Sequence, residues 1–330
     1  MAILFDGMRV ELTASILHHS QRCAGVTYTQ ISARHYLVAA ECREEWVVAH
    51  DAKYHPRGVA YPAPAAARAA AHAAEHPGCV VSGFGALALY GLGYFVDGAD
   101  TTLLHPRAVN SHGDSITPSL RRRSRAPLEV WQLEHRGCTF NAAAPSAALV
   151  QALQDLRSGV HRWKAVDVPG LTPEQVMAVQ LVDCARRFLR LTSAQILDAA
   201  RGKLNRRWLE SVLINSSCHA DSPKETEMRL LLRQLAREFG CSVREQVDLV
   251  ENGRLITVFD LAIPELRVAV MYDGEHHWGY EQRQKDASIN IKAAKHGWTL
   301  VRCSSATMLE CLALVRDLLS KKVHGSPAVE

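Results

Sequence analysis

From Met228 through Leu231, Leu232 and Leu235 to Phe239, apolar residues return every three or four positions, the period of a helix with one buried face. Ser222 stands before the run as an N-cap, Pro223 takes the first helical position, Glu225 sits at the third, and Gly240 ends the helix. Beyond Gly240 the rhythm changes to short apolar runs. Segments at about 243–249, 255–261, 267–272 and 298–303 read as strands, with a helix over 281–296 and a terminal helix over about 306–321. Arg267 to Tyr272 is the clearest strand, an apolar run with two Val, bounded by a charged residue and by Asp273-Gly274.

The first two thirds of the chain are patterned differently. Residues 8–60 suggest two short helices, a turn, a third helix between Arg34 and Trp46, and a β-ribbon ending at Tyr61, which together make a small winged-helix arrangement. Residues 62–76 are rich in Ala, the best helix former, and Pro77-Gly78 stops them. Ser82-Gly83-Phe84-Gly85 lacks the Lys-Ser/Thr of a phosphate loop, so close packing explains its glycines better. Residues 101–131 look rich in strands and loops, and 142–156 and 174–213 read as helical, the latter opened by a capping box at Thr172 and Gln175. The expected divisions are 1–61, a mixed and mainly helical 62–220, and 221–325.

Composition narrows the class without naming a function. A hydrophobic content of 48% and a charged content of 22% are ordinary for a globular chain, and 330 residues suffice for two or three cores. The net charge is only +4, so any basic face must come from local clustering. Nine cysteines without a Cys-x-x-Cys pair argue against a zinc ribbon or disulfide framework and for a reducing cytoplasmic setting. No secretory core follows Met1, and no stretch approaches the ~20 apolar residues of a membrane span, so no membrane partner is expected.

Two acidic residues carry the candidate chemistry. Asp260 interrupts an apolar strand, and Asp273 closes the next one. On neighbouring antiparallel strands they can converge on one point, which is costly to bury unless a cation occupies it; a hard divalent ion is the natural occupant. His276 and His277 follow directly. The densest basic cluster is Arg121-Arg122-Arg123-Ser124-Arg125, read either as a phosphate-binding arm or as a solvated loop. Arg34 and Arg57 would serve the winged helix as DNA contacts.

These residues resemble a family. A helix with Ser-Pro-Lys-Glu-Thr, strands with an isolated Asp and a terminal Tyr-Asp-Gly, a nearby His, a helix with Asp286, then Gly-Trp and a strand ending in Val-Arg look like the Vsr-like branch of the PD-(D/E)xK nucleases. The likeness covers about residues 221–320 and implies a restriction-endonuclease-like mixed sheet flanked by helices, in a chain that is otherwise α+β or α/β. It also implies a metal-dependent phosphodiesterase core. Asp260 and Asp273 would hold Mg²⁺ or Mn²⁺, with His277 and Glu225 as further catalytic candidates. Asp286 and His276 would lie just behind them, and Arg302 would touch phosphate or pair with Asp286. Residues 8–60 are similar to the N-terminal domain of AbiEi-type antitoxins. The implied function is a DNA endonuclease in phage defence or repair. The alternative is a catalytically inactive, DNA-binding, antitoxin-like regulator with a toxin or other protein partner. Two departures bear on the choice. Met271 stands where the branch carries Glu, and a thioether cannot replace a carboxylate on Mg²⁺. Asp286-Ala287-Ser288-Ile289 lacks the usual following Arg.

Overall fold

The structure is a computed structural model that describes residues 3–107, 110–273 and 280–324. It divides into two compact units. The first comprises Met1–Val166 with Pro173–Cys218, and the second His219–Glu330 with Asp167–Thr172. The first unit therefore runs through residues 61 and 62 without a division. Among the described residues the chain is mixed α and β, with ten α-helices and three sheets.

The first unit opens with a small antiparallel sheet of β1 (Leu17–His18), β2 (Tyr28–Gln30) and β3 (His35–Val38), in the order β1-β3-β2. The helix expected between Arg34 and Trp46 is thus replaced by a strand and a 3-10 turn at Ala39–Glu41. Alternation explains the difference. Leu37 is fully buried against Ile31, Ala67 and Ala71, while Tyr36 and Val38 stay half exposed, a period of two that a helix could not satisfy. The segment from Leu12 to Ile16 is not helical either. Only α1 (Glu45–Tyr54) and α2 (Ala65–Glu75) follow before residue 76.

A second, five-stranded sheet joins β4 (Val80–Ser82), β5 (Thr102–His105), β6 (Ser119–Arg122), β7 (Val130–His135) and β8 (Cys138–Ala143) in the order β6-β5-β4-β8-β7. Between β4 and β5 lies α3 (Gly83–Leu89), wholly buried. Gly85 is required there by packing, because a Cβ would meet Val81 Cγ1 at 3.3 Å and Ala69 Cβ at 3.6 Å. The alanines of α2 act in the same way, leaving no bulk between neighbouring backbones. Helices α4 (Pro145–Arg157), α5 (Pro173–Phe188), α6 (Ser193–Ala199) and α7 (Arg206–Asn215) complete the unit.

The second unit runs α8 (Pro223–Glu238), β9 (Arg244–Glu251), β10 (Arg254–Ile263), β11 (Val268–Tyr272), α9 (Tyr280–Lys295), β12 (Thr299–Cys303) and α10 (Met308–His324). Its sheet has the order β12-β11-β10-β9, parallel between β11 and β12 and antiparallel elsewhere. A parallel pair requires a crossover, and α9 supplies it. One sheet face buries Leu261, Ile263, Val268, Val270 and Val301 against Met228 and Leu232 of α8 and Val315 and Leu319 of α10. The other buries Phe259, Ala262 and Ala269 against Ala293 of α9. Each buried Leu, Val or Ile contributes on the order of 1.5–3 kcal/mol of transfer free energy.

Candidate functional site

Residues 221–225 begin the site. Ser222 Oγ accepts the Glu225 N–H at 3.3 Å and donates to Glu225 Oε1 at 3.0 Å, while Glu225 Oε2 accepts the Asp221 N–H at 2.9 Å. Both Glu225 oxygens therefore serve the start of α8, one on the Ser222 hydroxyl and one on the N–H that precedes the cap, in place of the expected capping box. Its carboxyl is held above the ordinary range by burial and by the nearby charges of Asp260 and Asp221, against the pull of those hydrogen bonds.

Asp260 reaches the same place through a break in its strand. Phe259 and Ala262 belong to the α9 face, and Leu261 and Ile263 to the opposite face, so the strict alternation of a strand fails between 259 and 262. Gln246 and Asp260 fall between the Phe259–Val247 and Leu261–Glu245 pairs of the β9–β10 register, and Gln246 has φ of +51°, the left-handed region a side chain rarely adopts. At this break Asp260 lies on the α8 side. There it shares a cavity of ≈ 20 Å³ with Glu225, Met228, Arg229, Glu245 and Tyr272, room for about one water molecule. Asp260 Oδ2 accepts the Tyr272 N–H at 2.8 Å, extending the ladder beyond the last paired residues, Leu261 and Val270. Burial, with Asp221 and Asp273 nearby, raises its carboxyl above the usual range.

Asp273 follows β11 and is fixed differently. Its N–H donates to Cys303 O at 2.7 Å, and its Oδ1 accepts from Arg302 Nη1 at 2.8 Å. The same guanidinium donates through Nη2 to Asp286 Oδ1 of α9 at 3.0 Å, and Nε lies 3.4 Å from Asn290 Oδ1. Arg302 pairs with Met271 across β11 and β12, and Met271 packs with the apolar cluster of Phe259, Ala262, Ala269 and Trp298 on the α9 face. The two acids thus come close enough to interact, yet Asp260 is tied on the α8 side and Asp273 is bound to Arg302.

The other expected residues fall into three groups. Arg302 and Asp286 join the site as an ion pair. Arg57 and Arg121 are committed elsewhere: Arg57 bridges Asp100 Oδ2 at 2.6 Å and Gly113 O, and Arg121 meets the buried Asp155 at 2.5 Å. Arg34, Arg122 and Arg123 are exposed in the first unit, Arg34 at the turn before β3 where a recognition helix was expected. His276 and His277 lie outside the described residues. Two participants escaped the sequence reading. Asp221 acts on both Glu225 and Asp260, and its place immediately before the Ser-Pro cap was the available signal. Asp100 gathers His55, Arg57, Tyr61 and Ser119 at 2.6–2.7 Å, from positions too far apart in sequence to be seen together.

Oxygen donors of this kind suit Mg²⁺ or Mn²⁺ in hardness. Asp273 is paired with Arg302, Glu225 hydrogen-bonds the start of α8, and the thioether of Met271 lies on the α9 face. Among the described residues no group of three or more His, Cys, Asp or Glu is placed to hold a metal ion. Comparison with protein-family profiles, curated proteins and solved structures gave no match to this chain.

Proposed function

We propose that the chain is a nucleic-acid-binding protein whose second unit is a nuclease-like domain in which Arg302 stands where a catalytic cation would otherwise balance the acids. The order α8-β9-β10-β11-α9-β12, with one acid on the middle strand of the antiparallel meander and another at the end of the strand that enters the crossover, supports the nuclease-like part. The observation that carries the non-hydrolytic part is the Arg302 clamp on Asp273 and Asp286. An arginine paired with two carboxylates supplies the positive charge there permanently, and Met271 adds no oxygen. DNA contact falls to exposed cations such as Arg34, Arg122, Arg123 and Arg125 of the first unit, and regulation by binding, as in an antitoxin-like repressor, is the corresponding role.

Binding to duplex DNA at several salt concentrations tests this reading. The expected result is an affinity that falls linearly on a log–log scale, with a slope of about −0.9 per neutralised phosphate. Replacing Arg122 and Arg123 together by Gln should reduce that slope by about 2. Salt-independent binding, or none, would remove nucleic acid as the partner.

One observation favours a second reading, metal-dependent phosphodiester hydrolysis. Asp260 and Glu225 share a small cavity with their carboxyls held above the ordinary range, which a cation would relieve. Nicking of DNA in Mg²⁺ or Mn²⁺ that Asp260→Asn abolishes would establish it.

A further inference from the structure

Beneath the Arg302 clamp lies a group of sulfur atoms that neither reading uses. Cys303, the last residue of β12, is buried, and its Sγ lies 3.2 Å from the Sδ of Met228, itself buried on α8. Cys311, in the first turn of α10, is half-buried; it packs against the cluster that holds Met228 and Cys303, and its Sγ approaches Arg302 O at 3.2 Å. Two thiols and a thioether from three separate elements are therefore gathered in one cluster.

We propose that Cys303, Cys311 and Met228 form a binding site for a soft monovalent cation, Cu(I) being the physiological example. Ligand softness sets the preference: thiolate and thioether sulfur select Cu(I), whereas the hard carboxylates nearby favour Mg²⁺. Cys311 provides the route in, because it is the partly exposed member. On binding, two S–H protons leave to solvent as two Cu–S bonds form, the thioether donates a lone pair, and no atom changes oxidation state.

Cys23 and Cys138 are exposed and would bind soft metal adventitiously, so the test begins from a full-length chain with both changed to Ser. Under anaerobic, reducing conditions this parent is titrated with Cu(I) against a chromophoric Cu(I) chelator, and X-ray absorption counts the sulfur neighbours. One equivalent held with three sulfurs is expected. Cys311→Ser should weaken binding by more than the ~10–100-fold typical of changes outside the ligand shell, and Met228→Leu, which keeps the core volume, by less. Cys241→Ser, a half-buried cysteine of the same unit, should leave affinity unchanged. Parent affinity retained in Cys311→Ser, with thermal melting confirming the fold of each variant, would overturn the assignment. So would a parent that takes up no Cu(I) in the presence of the chelator.

Discussion

His72 and His161 show how single residues govern the acid response of the first unit. Both are buried, and each has an Nδ1 without a hydrogen-bond partner. Burial lowers each imidazole from 6.5 to about 4, helped at His72 by the cation of Arg68 and opposed at His161 by its hydrogen bond to Phe95 O. The folded state therefore keeps them neutral while the unfolded chain takes up protons below pH 6.5. Their contribution is complete above 6.5 and is lost as pH falls from 6.5 to 4, by up to about 3 kcal/mol for each histidine. Denaturant unfolding between pH 7 and 4 should show this slope, and His72→Gln should flatten it; an unchanged slope in that variant would refute the assignment. At the clamp, Arg302→Gln leaves Asp273 and Asp286 without their shared cation. A loss of about 1–3 kcal/mol is expected in urea unfolding, with most of it recovered by adding Asp286→Asn. Two independent, additive losses would mean the pair is not coupled.

Elements were legible in the sequence where one physical rule dominated. The second unit follows its pattern closely because period and caps agree: Ser222, Pro223 and the apolar stripe from Met228 set α8, and the Val-rich run sets β11. Ser222→Ala should cost about 1 kcal/mol, the usual worth of an N-cap, while Leu232→Ala, buried between α8 and the sheet, should cost about 2–5 kcal/mol, both read from urea midpoints. Reversal of that order would place the stability of α8 in its cap rather than its packing. The sequence misled where propensity and burial disagreed. Between Arg34 and Trp46 there are helix-forming residues, but Leu37 needs an alternating backbone to reach Ile31 and Ala67, and those partners could not be assigned from spacing. The break at Asp260 was equally hidden, because nothing in the apolar run around it foretells the left-handed backbone of Gln246 in the neighbouring strand.

At the scale of the molecule, the site residues were found more readily than their roles. Asp260, Asp273, Glu225, Asp286 and Arg302 were all expected near one another, since strand ends and a crossover helix converge there. Their commitments depend on side-chain directions: Arg302 was read as a phosphate contact or a partner of Asp286, and it bridges two acids. Arg57 and Arg121, expected to face DNA, are turned towards Asp100 and Asp155 by charge pairing inside the first unit. On the proposed reading, the Arg302 clamp and Met271 leave a chain that binds nucleic acid without cutting it. The most direct test is nicking of supercoiled DNA by the wild-type chain in Mg²⁺ and in Mn²⁺, beside Asp260→Asn. The account predicts intact plasmid from both proteins, with DNA retained in a salt-sensitive complex. Nicking by the wild type that disappears in Asp260→Asn would contradict it.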